Sequence, residues 1–252
     1  MIIEYHRPKT LEQALKLIRR KQPQTCPLGG GTVLSAPSDE QVAVVDLQDL
    51  GLNKLAHKGN KLHIGAAATL QALMEAEGIQ PTLAAAIRHE TAYTLRQTAT
   101  VAGSLVAADG RSPFALAMLA LAAELVLQPR DEKIGYGDLL ALRAEKLRGK
   151  LIIKITLNTQ LKLSYQYVAR TPADLPIVSL ALAQWPSGRT RLAVGGFGRA
   201  PALALDGKEA SGINETLENA LSHAGDQWAS GEYRLEAGRA LVKRALAELE
   251  GQ

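Results

Sequence analysis

The sequence predicts an α+β fold in two parts, and three observations support this prediction. In the first part, short β-branched segments alternate with segments that carry helix caps. In the second part, three strand-like segments are followed by two helical ones, which is typical of a small three-stranded sheet packed against helices. The composition also changes near residues 158–162, and this change separates the two parts.

Helix caps and apolar runs define the elements of the first part. Thr10 and Gln13 form a capping-box pattern, and apolar residues recur behind them at helical spacing, which predicts a helix over 10–20. Ser112 and Pro113 begin another helix as N-cap and first-turn proline, and because this helix is apolar on nearly all sides it should be buried. The other predicted elements are strands at 42–47, 61–65, 124–129 and 151–157 and helices at 69–76 and 82–91.

The second part begins with three segments of β character. Strands are predicted at 163–168, 176–184 and 190–194, and a helix is the alternative for the second of these. Residues 195–201 form a cluster of turn residues, and two helices near 213–223 and 233–249 follow. These segments make up the small sheet and its helices.

Composition narrows the classes of function. The net charge of +4 is scattered and no basic face with aromatic residues is evident, so nucleic acid is not expected as a partner. A single cysteine excludes an internal disulfide and a thiolate metal site, and the five histidines lack metal-binding spacing. Neither a signal peptide nor a membrane span is evident, and a cytoplasmic protein without metal is therefore the expectation.

Two segments of small residues are candidates for a ligand site. The first, PLGGGTVLSA at 27–36, lacks the lysine of a P-loop and the third glycine of a dinucleotide fingerprint. It is either a tight turn or a nest of backbone N–H groups that approaches an anion. The second is TVAGS at 100–104, which is either a closely packed helix or a second donor segment. Two such segments in one domain favour a shared ligand that contains phosphate.

A resemblance to a known family rests on nine segments in a fixed order. They are YHRPKTLEQAL, PLGGGTVL, VVDLQDLGLNKL, LHIGAAATLQAL, LRQTATVAGSL, FALAMLALAAELVL, GKLIIKI, ARTPADLPIVSLALA and GEYRLEAGRALVKRAL. In their order and spacing they resemble the medium, FAD-binding subunit of the molybdenum hydroxylases, the group of xanthine and carbon monoxide dehydrogenases. The resemblance spans nearly the whole chain.

The resemblance implies a fold and a cofactor site. The fold is the two-subdomain FAD-binding fold of the vanillyl-alcohol oxidase type over 1–158, with subdomains of about 1–54 and 55–158, followed by a C-terminal α+β domain over 159–252. Two helix-free loops of N–H donors would clamp the pyrophosphate, with the glycines giving it clearance. The positions that match cofactor contacts are Leu28, Gly29, Gly30, Gly31, Thr32, Val33, Thr100, Ala102, Gly103, Ser104, Ser112, Leu151 and Ile152.

Four positions depart from the family's pattern. Val33 replaces a common acidic residue, Ala102 a glycine of the second loop, Pro113 an aspartate, and Gln166 a lysine. The loss of a charged contact to a buried polar ligand costs about 1–3 kcal/mol. FAD is therefore held more weakly than usual or in a different way, and a flavin-poor interaction subunit is an alternative.

The resemblance also implies a function. The chain would be an oxidoreductase subunit that passes electrons from the two-iron two-sulfur clusters of a partner subunit, through FAD, to NAD+ or another acceptor. A molybdopterin subunit of the same complex would hydroxylate the substrate. The chain itself needs no catalytic side chain. A stand-alone flavin reductase, such as UDP-N-acetylenolpyruvoylglucosamine reductase, is a further alternative, and the substrate and the acceptor are open.

Overall fold

The computed structural model describes residues 1–251, in which helices and strands are mixed along the chain. The strands are β1 (Ile2–His6), β2 (Thr25–Leu28), β3 (Val42–Asp46), β4 (Leu55–Lys58), β5 (Lys61–Gly65), β6 (Glu124–Gln128), β7 (Glu132–Gly135), β8 (Leu151–Asn158), β9 (Lys162–Val168), β10 (Val178–Gln184), β11 (Arg189–Gly195) and β12 (Ala202–Lys208). The helices are α1 (Leu11–Ile18), α2 (Leu70–Met74), α3 (Pro81–Glu90), α4 (Tyr93–Arg96), α5 (Val101–Ala107), α6 (Pro113–Ala120), α7 (Tyr136–Ala141), α8 (Arg143–Lys146), α9 (Ile213–Leu221) and α10 (Gly231–Gly251). The predicted α+β class is confirmed.

The chain divides into two compact units. The first comprises Met1–Ala76, Ala92–Ala107 and Glu124–Leu157, and the second comprises Glu77–Thr91, Ala108–Ala123 and the chain from Asn158 onward. The domain limits of 1–158 and 159–252 that the sequence predicts stay a prediction, and position 252 lies outside the described residues. Within residues 1–251, no helix is both long and apolar enough to cross a membrane.

The first unit contains two sheets. One is parallel with the strand order β1-β3-β2, and the other has the order β4-β5-β8-β6-β7. Helix α1 begins where the capping box predicts, because the Thr10 side chain accepts a hydrogen bond from the Gln13 N–H group at 3.3 Å. Its buried residues Ala14 and Ile18 pack in one apolar cluster with Val45 of β3. This packing fixes the parallel sheet from which the glycine loop emerges.

The second unit contains an antiparallel sheet with the strand order β12-β11-β10-β9. The three predicted strands are present, and β12 adds a fourth at the edge. The alternative at 176–184 is resolved as strand β10, whose continuous burial over 178–183 explains why its sequence shows no polar alternation. Helix α6, every residue of which is buried as predicted, packs against β10 and β11.

Candidate functional site

The glycine loop begins where β2 ends. The Leu28 carbonyl accepts a hydrogen bond from the Leu47 N–H group at 3.1 Å, and this bond fixes the end of the strand beside β3. Gly31 has a φ of +72°, a left-handed conformation that favours glycine. Among residues 1–251, no acceptor is found for the backbone N–H groups of residues 29–33. A short run of free N–H groups at a left-handed turn is the arrangement that binds anions.

Two of the glycines are required by the chain itself. A Cβ atom on Gly30 would lie 1.7 Å from the carbonyl oxygen of Thr98, and one on Gly29 would lie 2.5 Å from the hydroxyl oxygen of Thr100. The sequence predicts that the loop glycines give clearance to a pyrophosphate. At Gly29 and Gly30, however, residues 98–100 occupy the space that a side chain would need. Gly31 is different, because a Cβ there would meet only the side chain of Leu28 at 3.5 Å.

The second candidate segment forms helix α5, so the prediction of two helix-free loops is wrong for this segment. Gly103 is required at the start of this helix, because a Cβ there would lie 2.7 Å from the hydroxyl oxygen of Thr100. The hydrogen bonds at its start are Val101 N–H to Ala68 O at 2.8 Å, Ala102 N–H to Ala66 O at 3.1 Å, Gly103 N–H to Thr100 Oγ1 at 3.2 Å and Ser104 N–H to Thr100 O at 2.9 Å. These amides are engaged within the chain, whereas those of the glycine loop are not.

The glycine loop, α5 and the start of β8 enclose a cavity of about 390 Å³ within the first unit. This volume falls in the range of about 300–1,000 Å³ that is usual for small-molecule sites. The predicted site residues that line it are Gly29, Gly30, Gly31, Thr32, Val33, Thr100, Ala102, Gly103, Leu151 and Ile152. The other predicted residues, Leu28, Ser104 and Ser112, are not among the described residues that line it.

Ser112 lies in the second unit, at the start of α6. Its hydroxyl oxygen accepts a hydrogen bond from the Ala115 N–H group at 3.1 Å, and its O–H group donates one to the Glu90 carboxylate at 2.7 Å. The Phe114 N–H group also donates to Glu90 at 3.0 Å. Burial raises the pKa of Glu90, and these two donors oppose the rise. In this structure Ser112 caps a helix, and its predicted contact with a cofactor stays a prediction.

Several lining residues are absent from the prediction. They are Cys26, Pro27, Leu34, Leu47, Ala66, Val106, Ala107, Leu147 and Lys150. Helical spacing could have found two of them, because Val106 and Ala107 follow Gly103 by three and four positions and so share its face of α5. Chain adjacency could have found Lys150, which directly precedes Leu151.

Charge at the cavity is concentrated on one side. The Lys150 ammonium donates to the carboxylate of Glu132 on β7, and this contact lowers the pKa of Glu132. Burial raises the pKa of the Cys26 thiol, which is therefore neutral near pH 7. Val33 is 59% exposed and brings no charge to the glycine loop. The remaining walls are mostly apolar.

Comparison with known proteins gives a family and several relatives. Residues 1–157 match the family described as the FAD binding domain in molybdopterin dehydrogenase. The uncharacterized protein YgfM of Escherichia coli K12 is 32% identical over 228 residues, which cover 89% of this chain and 86% of that protein. The nicotine 6-hydroxylase medium subunit of Paenarthrobacter nicotinovorans is 25% identical over 276 residues, covering 98% of this chain and 96% of the subunit.

Solved structures share the fold at low sequence identity. A chain of the Cu,Mo-CO dehydrogenase superposes with a TM-score of 0.82 at 20% identity, covering 100% of this chain and 98% of that one. A chain of quinoline 2-oxidoreductase from Pseudomonas putida 86 superposes with a TM-score of 0.79 at 18% identity, covering 98% and 96%. The fold therefore extends over almost the full length in both comparisons.

Proposed function

The chain belongs to the family of FAD-binding domains in molybdopterin dehydrogenase, and we propose that it is the electron-transfer subunit of a molybdenum hydroxylase complex. In this role the chain passes electrons from the iron–sulfur clusters of a partner subunit, by way of FAD, to NAD+ or another acceptor. The resemblance to the medium subunits is confirmed, FAD is the cofactor of the family, and the chain is an oxidoreductase component.

One observation of this structure carries the assignment of the FAD site. The cavity of the first unit combines mostly apolar walls with the free N–H groups of residues 29–33. A dinucleotide needs both, because its rings are apolar and its pyrophosphate is an anion that backbone N–H groups can bind. In the proposed site, the loop amides and the Thr100 hydroxyl donate to the pyrophosphate, and Leu151 and Ile152 pack against a ring of the cofactor.

When bound, FAD supplies the redox chemistry, while the protein supplies binding, orientation and electrostatics. Among the described residues that line the cavity there is no carboxylate and no imidazole, and we assign no general acid or base there. Leu151 and Ile152 are at most 5% exposed, and in the proposed site they keep water from one face of the cofactor. Specificity for the hydroxylated substrate belongs to another subunit.

The proposed partners are a subunit with two-iron two-sulfur clusters and a molybdopterin subunit. The nicotine 6-hydroxylase relative supports this, because it is described as a medium subunit. Neither a nucleic acid nor a membrane is proposed as a partner, and the cytoplasmic location stays a prediction. Co-expression of the chain with the products of neighbouring reading frames tests the proposal, since the two expected subunits should co-purify with it.

Titration with FAD tests the cofactor assignment. We expect the purified chain to be yellow, or to become yellow when FAD is added. The absorbance of the flavin and the change in its fluorescence measure binding. We expect saturation at one FAD per chain. A colourless protein that leaves added FAD unchanged would contradict the electron-transfer role and favour a flavin-free interaction subunit.

A further inference from the structure

Lys150 has a distinctive place at the cavity. Among the described residues that line the cavity, it alone carries a charged side chain, and the others are apolar, glycine, hydroxyl or thiol residues. It lies in a turn after α8, where its N–H group donates to the Leu147 carbonyl at 3.0 Å. Leu147, Leu151 and Ile152 line the cavity with it. The segment 147–152 therefore forms one wall, and its charge is at Lys150.

An anionic ligand in this cavity would gain from a cation in addition to the free N–H groups of residues 29–33. Moving a dianionic pyrophosphate against apolar walls costs desolvation energy, which dipoles and charges of the protein must offset. Here the amides at the start of α5 are engaged within the chain, and Val33 adds no polar group. A charge-assisted hydrogen bond is about twice as strong as a neutral one. A single lysine at the wall thus has a large effect.

We propose that Lys150 binds a phosphate oxygen of the cofactor's pyrophosphate, an inference that rests on the proposed function. The Lys150 side chain is 28% exposed and its partner Glu132 is 38% exposed, so both can rearrange. An ammonium has three N–H donors, which lets Lys150 keep its contact with Glu132 while another N–H group binds phosphate. Glu132 therefore competes with the phosphate for the charge of Lys150.

Variants at Lys150 and Glu132 separate a direct contact from a structural one. FAD is titrated into the wild-type chain, K150M, K150R and E132Q, and the dissociation constants are compared at low and high salt. K150M should bind FAD about 10- to 100-fold more weakly, and K150R should recover most of the loss. E132Q should bind at least as tightly as the wild type, because Lys150 keeps its charge and loses its competitor. The gap between wild type and K150M should narrow at high salt.

The controls decide which idea fails. K133M removes a lysine that is 70% exposed and pairs only loosely with Glu124 at 4.0 Å, and its FAD affinity should not change. Riboflavin, which has no phosphate, should not distinguish K150M from the wild type. If E132Q is as weak as K150M, or if riboflavin binding falls as much as FAD binding, Lys150 does not bind phosphate. If the wild type takes up no FAD, the proposed function itself fails; if wild type and K150M bind FAD equally, only the role of Lys150 fails.

Discussion

At the scale of single residues, the three loop glycines are needed for different reasons. Gly29 and Gly30 bring the loop against residues 98–100, where no Cβ atom can be accommodated without movement of the backbone or of Thr100. Gly31 instead supplies the left-handed turn, with open surroundings. The loop is thus built into the first unit through two glycines, and the third shapes the run of free N–H groups.

G30A should be more destabilising than G31A. In G30A the new Cβ meets the Thr98 carbonyl oxygen at 1.7 Å, and forced overpacking of this kind typically costs about 1–3 kcal/mol and occasionally more. In G31A the cost is that of a left-handed alanine, about 1–2 kcal/mol. Urea unfolding of the chain without FAD measures both changes. A G30A variant that unfolds at the wild-type urea concentration would show that the close approach is absent in solution.

Glu90 should make the free energy of unfolding depend on pH. Burial holds its pKa in the folded state above the value of 4.5 that applies to an unperturbed glutamate. Between these two pKa values the folded state binds more protons than the unfolded state, so this residue makes stability fall as the pH rises. E90Q keeps acceptors for Ser112 and Phe114 but does not titrate. Unfolding curves from about pH 4.5 to about pH 8 should show a flatter pH dependence for E90Q, and parallel curves would refute this.

At the scale of elements, the capped helices are the best predicted. Thr10 and Ser112 each cap the helix that the sequence assigns to them, since both hydroxyls accept a bond from the third amide beyond them. For helix α5 the sequence leaves two alternatives open, a closely packed helix and a donor segment, because alanine, glycine and serine give no apolar periodicity. Lys150 is absent from the predicted site residues, although it lies in the segment GKLIIKI and directly precedes Leu151, because a lysine in a turn gives no signal of its own.

S112A should reveal what Ser112 does in solution. The variant loses the N-cap of α6, which costs about 0.5–2 kcal/mol, and also the donor to Glu90. T10A is the matched control, because it removes a cap from an exposed position without a second partner of this kind. Ser112 is also only 4% exposed, so groups that lose their partner there are shielded from water. S112A should therefore lower the free energy of unfolding more than T10A does.

FAD affinity of the same two variants tests the predicted cofactor contact of Ser112. A loss of affinity in S112A that T10A does not share would support that contact. Equal affinities would confine Ser112 to the start of α6. Stability and affinity must be measured separately, because a bound ligand raises the apparent stability of the folded chain.

At the scale of the whole molecule, the two compact units are not continuous in sequence. The apolar pattern of residues 163–194 predicts the sheet of the second unit. Nothing in the sequence indicates that α3 and α6, from the first half of the chain, belong to the same unit. Helix α3 contacts α6 and β9, and α6 contacts β10 and β11, so both helices pack with elements of the second unit. The apolar surface of α6 requires burial but does not name its partner, and this is why sequence alone leaves the assignment open.

A fragment that ends at Leu157 should not fold as a stable domain, although it contains every residue of the family match. Without β10 and β11, the eight buried residues of α6 lose much of their cover and become an exposed apolar surface. The domain limit predicted from the sequence implies the opposite, that residues 1–158 are sufficient. We expect the fragment to bind the dye ANS, to melt without a cooperative transition and to aggregate, with the full chain as the control. A fragment that melts cooperatively and remains monomeric would show that α6 does not need the C-terminal sheet.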